Sequence, residues 1–228
     1  MKAEKHIVIA IDGPAASGKS TVAGILAKKL GIAYLNSGQM YRAITYKCLI
    51  NRIPLSDIDK IEELTKKTTF SFSDNELLID GKNYNKYVSL PEVENIVSII
   101  AKIPEVRKIL IQKQREIARD KSIIMDGRDI GTIVFPDATY KFFLDASIEV
   151  RAERRCKELA QKFPEKQFKQ KDIINEIRDR DSSDKKRNIS PLVQAKNAIL
   201  VDTTQLSIEE MVVRLYNTIK FRKERKNT

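Results

Sequence analysis

Runs of consecutive apolar residues alternate with segments of helical periodicity along most of this chain. Ile7-Val8-Ile9-Ala10-Ile11 is apolar at every position, as a strand covered on both faces must be. The same pattern predicts strands at Ala33–Leu35, Ser122–Met125, Lys141–Leu144 and Ala198–Val201. Thr21 to Leu30 reads as a helix. A second helix opens at Ser207-Ile208-Glu209-Glu210, which has the form of a capping box. Its apolar residues Ile208, Met211, Val212 and Leu215 recur at helical spacing. Strands alternating with helices predict an α/β fold: a five-stranded parallel sheet flanked by helices.

Two segments interrupt the alternation. In the first, residues 54–104, Thr69-Phe70-Ser71-Phe72-Ser73 and Glu76-Leu77-Leu78-Ile79-Asp80 are short alternating strands. A tight turn at Asp74-Asn75 would join them, and Asp80-Gly81 marks another turn, giving a small antiparallel sheet. The second, residues 151–187, is helical and densely charged, and Phe163-Pro164 splits it into two helices. Both are expected as inserts on a single domain of residues 1–228, and the second as a helical lid.

The strand-to-helix link after Ile11 carries the chemistry. Gly13-Pro14-Ala15-Ala16-Ser17-Gly18-Lys19-Ser20 fits G-x-x-x-x-G-K-[ST], with Thr21 beginning the helical pattern. Glycines let backbone N–H groups turn toward a phosphate, and the following helix adds its positive end. Lys19, expected on a solvent-facing loop, supplies charge to the β- and γ-phosphates, and Ser20 offers a hydroxyl to Mg²⁺. Residues 13–21 are therefore the expected ATP-binding set.

Two further strand ends deliver arginines. Asn36-Ser37-Gly38-Gln39-Met40-Tyr41-Arg42 follows the second strand. Asp126-Gly127-Arg128-Asp129-Ile130-Gly131 follows the third. Ligands of open α/β sheets bind at these carboxyl ends. The planar fork of Arg42 or Arg128 suits phosphate, so the acceptor is expected to carry phosphate as well. The sole histidine is His6, and no Ser-His-Asp or Cys-His set can be assembled. A monophosphate needs no such base, because its second pKa of about 6 already leaves nucleophilic oxygens. On the second insert, Arg151, Arg154 and Arg155 share a helical face, with Arg178 and Arg180 further on.

Composition narrows the partners. Cys48 and Cys156 form no metal-ligand pattern, which suits a reducing compartment. No apolar run approaches the roughly 20 residues that cross a bilayer. The net charge of +11 raises nucleic-acid binding as a possibility. The lysines are dispersed, however, and part of the excess lies in the tail from Lys220 to Lys226. A nucleotide cleft accounts for basic charge without nucleic acid.

The combination of Ile11-Asp12-Gly13 through Ser20, Ser37-Gly38 with Tyr41-Arg42, Asp126 through Thr132, and Arg180-Asp181-Ser182-Ser183-Asp184 through Arg187 with Ser190-Pro191-Leu192 resembles the bacterial cytidylate kinases over essentially the whole chain. The resemblance implies a P-loop kinase core with a CMP-binding insert, transferring the γ-phosphoryl of ATP to CMP or dCMP with Mg²⁺. It implies that Ser37, Arg42 and Arg128 hold the CMP phosphate, and that Ser98, Arg107 and Asp129 read cytosine. Asp184 and Arg187 would reach the ribose and the acceptor side. Lys19, Arg128, Arg154, Arg155 and Arg180 would be the catalytic charges. The expected protein is a cytoplasmic monomer that uses small nucleotides, without nucleic acid or membrane. Two positions depart from the family pattern. Asn36 replaces a usual acidic residue, and Val88-Ser89-Leu90 lies where an arginine-containing turn is common. Another small-molecule P-loop kinase, adenylate-type or shikimate-type, and a basic RNA-binding protein with a non-catalytic P-loop are the alternatives.

Overall fold

A computed structural model describes residues 6–73 and 76–224. The turn expected at Asp74-Asn75 and the end of the basic tail lie outside the described residues. In chain order, β1 (Val8–Asp12) leads to α1 (Lys19–Leu30), then β2 (Ala33–Asn36) and α2 (Ser37–Ile50). Next come α3 (Ile58–Lys67), the short strands β3 (Phe70–Ser73), β4 (Glu76–Ile79) and β5 (Lys82–Asn83), and helices α4 (Pro91–Ile100) and α5 (Pro104–Ala118). The chain continues through β6 (Ile123–Gly127), a single turn of π-helix at Ile130–Val134, and β7 (Tyr140–Asp145). It ends with α6 (Ile148–Lys162), α7 (Gln170–Lys185), β8 (Ile199–Asp202) and α8 (Ile208–Glu224).

Each strand anticipated from the apolar runs is present, with bounds moved by a residue or two. They form the expected five-stranded sheet, ordered β2-β6-β1-β7-β8. Ile9 pairs with Tyr140 and Phe142 with Ile199, both in parallel registers. β3, β4 and β5 form a separate antiparallel sheet. Asp80 and Gly81 both have positive φ, 50° and 73°, as the two-residue link between β4 and β5 requires.

The chain divides into two compact units. One comprises residues 6–7 and 33–123. Within it α2 packs on α3 and α4, and α3 packs on α5. Met40, Ile44, Ile61, Val93, Ile100 and Leu110 fill the interior. Pro91 and Pro104 start α4 and α5 at the helical position that has no N–H to satisfy.

The other unit comprises residues 8–32 and 124–224. Its core is Ile9, Ile11, Val22, Leu26, Met125, Phe142, Leu144, Met211 and Leu215, each worth roughly 1.5–3 kcal/mol when fully buried. α1 lies against α8. The capping box of α8 forms as the sequence predicts: the Glu210 N–H donates to Ser207 Oγ at 3.2 Å, and the Ser207 N–H donates to Glu210 Oε2 at 2.8 Å.

Gly13 turns the chain from β1 into the loop with φ 149°. A Cβ there would lie 2.0 Å from the Leu144 carbonyl oxygen on β7, a backbone atom that cannot give way. Gly13→Ala should therefore cost roughly 3 kcal/mol through strain and overpacking. The urea midpoint measures this, and a wild-type midpoint would contradict it.

Candidate phosphotransfer site

The loop between β1 and α1 is held by its own side chains. Ser17 Oγ donates to the Pro14 carbonyl at 3.2 Å. Lys19 Nζ donates to the same carbonyl at 2.5 Å and to Ser17 Oγ at 3.2 Å. Lys19 is thus folded back and only 5% exposed, contrary to the expectation of a solvent-facing side chain. The reason is local: the tight loop places the Pro14 oxygen within reach of the lysine that opens the helix. Ser20 and Thr21, by contrast, are exposed.

Burial depresses the Lys19 ammonium well below its ordinary range. The positive charge of Arg128 adds to this, and Asp126 and Asp12 act against it. Arg180 pushes in the same direction as Arg128. Arg128 and Arg180 thus both act on the same buried lysine, an arrangement that suits a polyanion.

Carboxylates organise the same region. Ser20 Oγ donates to Asp126 Oδ2 at 2.8 Å, joining the start of α1 to β6. A hydroxyl beside a carboxylate is a hard-oxygen pair of the kind that Mg²⁺ accepts, its remaining ligands being phosphate oxygens and water. Among the described residues no group of three or more His, Cys, Asp or Glu could hold a metal alone.

Asp12, at the end of β1, accepts the N–H of Ile130 at 2.8 Å and that of Gly131 at 2.7 Å. It pins the turn carrying Arg128 and Asp129. Burial raises its carboxyl from 3.8 to about 7, against the two N–H bonds and Lys19, which lower it, and with Asp129, which raises it further. Asp129 is itself only 5% exposed.

Arg128, Asp184 and Arg187 meet in one cluster. Arg128 Nε donates to Asp184 Oδ2 at 2.9 Å, and Arg187 Nη1 lies 3.5 Å from Asp184 Oδ1. Burial would raise the Asp184 carboxyl, but the charges of Arg128, Arg187 and Arg180 hold it below its ordinary value.

The arginines of α6 separate in role. Arg154 donates to Thr203 Oγ1 at 3.0 Å and to the carbonyls of Thr203 and Leu206 at 2.6 and 3.3 Å. Arg155 pairs with Glu158 at 2.8 Å. Arg151, which shares their face in the sequence, is buried and bonded to Asp181 and to Ala15. Arg178 is exposed, and Arg180 half-buried on α7.

The other compact unit carries its own set. Ser37 is buried at the start of α2, and Asn36 caps that helix by accepting the Gln39 N–H at 3.2 Å. The Arg42 guanidinium folds back over this turn, 3.2 Å from where a Gly38 Cβ would stand. Arg107 is only 2% exposed, although sequence alone favours an ordinary helix-surface residue. Its guanidinium lies 5.2 Å from the Tyr41 ring centroid and donates to the Ala101 carbonyl at 3.1 Å. Ser98 is half-buried on α4.

Sequence reasoning assigns no role to Asp12, Asp126 or Asp181, and groups Arg151 with the lid arginines, whereas the structure bonds it to Asp181 and the Ala15 carbonyl. The available signal was an acid closing each of two apolar strands, Asp12 after Ile11 and Asp126 after Met125.

A strand, phosphate loop and helix, with a buried lysine and a Ser–Asp pair on a parallel sheet, define a P-loop nucleotide-handling protein. Comparison with known proteins is more specific. The family model described as "Cytidylate kinase" matches residues 9–221. A cytidylate kinase of Caldanaerobacter subterraneus subsp. tengcongensis is 49% identical over 222 residues, covering 97% of this chain and 96% of that one. Cytidylate kinases of Clostridium botulinum strain Langeland and Clostridioides difficile strain 630 are 46% and 44% identical, each covering 94% of this chain and 98% of theirs. The chain belongs to the cytidylate kinase family.

The Asp12 environment makes a prediction about pH. A carboxyl raised in the folded state favours folding in its protonated form. Its contribution is full below 3.8 and is lost as pH rises through about 7. Relative to Asp12→Asn, the wild-type protein should lose stability between those limits. Urea midpoints of both proteins across that range should converge or cross, and a constant difference would contradict the assignment.

Proposed function

We propose that this protein transfers the γ-phosphoryl group of ATP to CMP or dCMP, giving ADP and CDP or dCDP. The observation that carries this reading is Lys19, buried in an intact phosphate loop under the charges of Arg128 and Arg180, in a chain of the cytidylate kinase family.

Residues 13–21 receive the ATP phosphates, through the loop amides that follow Ala15, and Lys19 neutralises charge on the transferring group. Ser20 and Asp126 would hold Mg²⁺ together with phosphate oxygens, and that ion would supply charge neutralisation for the phosphates. Ser37, Arg42 and Arg128 hold the CMP phosphate. One of its oxygens attacks the γ-phosphorus as the bond to the β–γ bridging oxygen breaks, and ADP leaves. No side-chain base is required, because the attacking oxygen is already ionised. Asp184 fixes the Arg128 fork through its Nε, and Arg187 shares that carboxylate. Asp184 and Arg187 serve the ribose and acceptor side.

Among the lid arginines, Arg180 acts on both Lys19 and Asp184. Arg154 joins the chemistry only by releasing Thr203 and Leu206, and Arg155 by leaving Glu158. We assign residues 54–104 to CMP binding and 151–187 to the lid. The enzyme acts as a cytoplasmic monomer and has no need of nucleic acid.

Base selectivity rests on Ser98, Arg107 and Asp129. Cytosine offers an N4 amino donor beside an N3 acceptor, whereas uracil reverses both. An ionised Asp only accepts and an Arg only donates. Asp129 facing N4 and Arg107 facing the N3/O2 edge satisfy CMP and oppose UMP.

The reading is tested by coupled assay of ATP consumption with CMP, dCMP, UMP, AMP, GMP and shikimate. CMP and dCMP should dominate, and preference for another acceptor would refute it. Lys19→Ala should keep the fold and lose turnover by about 100-fold or more; near-normal turnover would sink the phosphate-loop assignment. Asp129→Ala should lose much of a CMP-over-UMP preference of roughly 10²–10⁵ through kcat/KM for CMP. An unchanged CMP/UMP ratio would remove Asp129 from base reading.

A further inference from the structure

The phosphate loop is tied to the helices of residues 151–187 through the backbone of one residue, Ala15. Asp181 Oδ1, on α7, accepts the Ala15 N–H at 3.1 Å. Arg151 Nη1, on α6, donates to the Ala15 carbonyl at 3.2 Å. The same nitrogen pairs with Asp181 Oδ2, so that one ion pair grips both polar groups of the residue. Arg151 Nε donates to the Ala146 carbonyl at 3.1 Å, just past the end of β7. The two side chains are only 9% and 10% exposed.

Packing reinforces the tie. Ala16 lies against the apolar cluster of Ala152, Leu159, Ile173 and Ile177 that joins α6 to α7. Ala16 also has φ 57°, a left-handed conformation that a residue with a Cβ adopts only under constraint. The neighbouring residue, clamped on both sides, supplies such a constraint.

We propose that Arg151 and Asp181 are positioning residues for ATP: they act through the Ala15 backbone to hold the phosphate loop in its binding shape. With the Ala15 N–H committed to Asp181, the loop presents phosphate with the amides that follow. This inference rests on the assignment of ATP to residues 13–21. It also separates Arg151 from Arg154 and Arg155, since its guanidinium is spent on the loop backbone.

A buried ion pair can often be exchanged for apolar residues without loss of the fold, whereas removal of one partner alone is costly. The main test is therefore the double variant Arg151→Met/Asp181→Leu, which keeps the volume and removes both grips on Ala15. Steady-state kinetics with ATP and CMP varied separately should show kcat/KM for ATP down by about 100-fold, the scale of a misplaced binding group. KM for CMP at saturating ATP should stay near the wild-type value.

The near-isosteric Asp181→Asn keeps an acceptor for the Ala15 N–H and weakens only the pair. It should show a smaller rise in KM for ATP, while Asp181→Ala should show a larger one. This graded series serves if the double variant does not fold. A folded double variant with wild-type KM for ATP, or one with equal losses on the ATP and CMP sides, would overturn the proposal. Lys19→Ala run alongside separates the two layers. If Lys19→Ala is inactive and the Arg151 and Asp181 variants are normal, the brace alone fails. If Lys19→Ala is active, the assignment of ATP to the loop fails first.

Discussion

The structure is organised around the buried lysine of the phosphate loop, Lys19, and the charges of both signs that face it. Lys19 is buried, and Arg128 and Arg180 both act to discharge it. Asp12 and Asp126 offset part of this, and Asp184 is shared between Arg128 and Arg187. Such an arrangement weakens the folded protein taken alone, because like charges in a low-dielectric site repel strongly. On the function proposed above, a bound polyphosphate offsets that repulsion with its own negative charge. On the same reading, the stability given up in the free protein is recovered on binding, and more of it in a transition state where charge spreads over the transferring group.

Holding that charge in place requires backbone placed against its preferences. Gly13 passes a β7 carbonyl where no side chain fits, and Ala16 sits at positive φ. The fixed points are buried acids reaching across the fold. Asp12 takes two N–H groups of the turn that carries Arg128 and Asp129. Asp181 takes one from the phosphate loop. Each converts a flexible connection into a defined one at the cost of burying a carboxylate, with the Asp12 carboxyl raised to about 7 as a consequence.

What could be read in the sequence was local. Apolar runs gave the parallel strands, because a strand covered on both faces cannot hide its composition. The phosphate loop and the capping box of α8 are short patterns whose partners lie within a few residues. What could not be read was long-range pairing. Asp12 and Gly131 are 119 positions apart, and Ala15 and Asp181 are 166 apart. Arg107 illustrates the difference: by spacing it is a helix-surface residue, and only the fold places it against Tyr41. Lys19 was assigned to solvent because nothing in the motif shows that the loop folds the lysine onto Pro14. Asn36, a departure from the family pattern, proves to cap α2 with its side-chain oxygen, a task open to Asp and Asn alike.

The claim that phosphate charge completes this site is tested most directly by thermal unfolding with three ligands at equal concentration: ATP, inorganic tripolyphosphate and adenosine. A ligand that binds only the folded state raises Tm, by more the tighter it binds, as the logarithm of its concentration over Kd. The account predicts a marked rise with ATP, a substantial share of it with tripolyphosphate, and little with adenosine. Loss of Lys19 should abolish the tripolyphosphate effect. Stabilisation by adenosine equal to that by ATP, with none from tripolyphosphate, would contradict it.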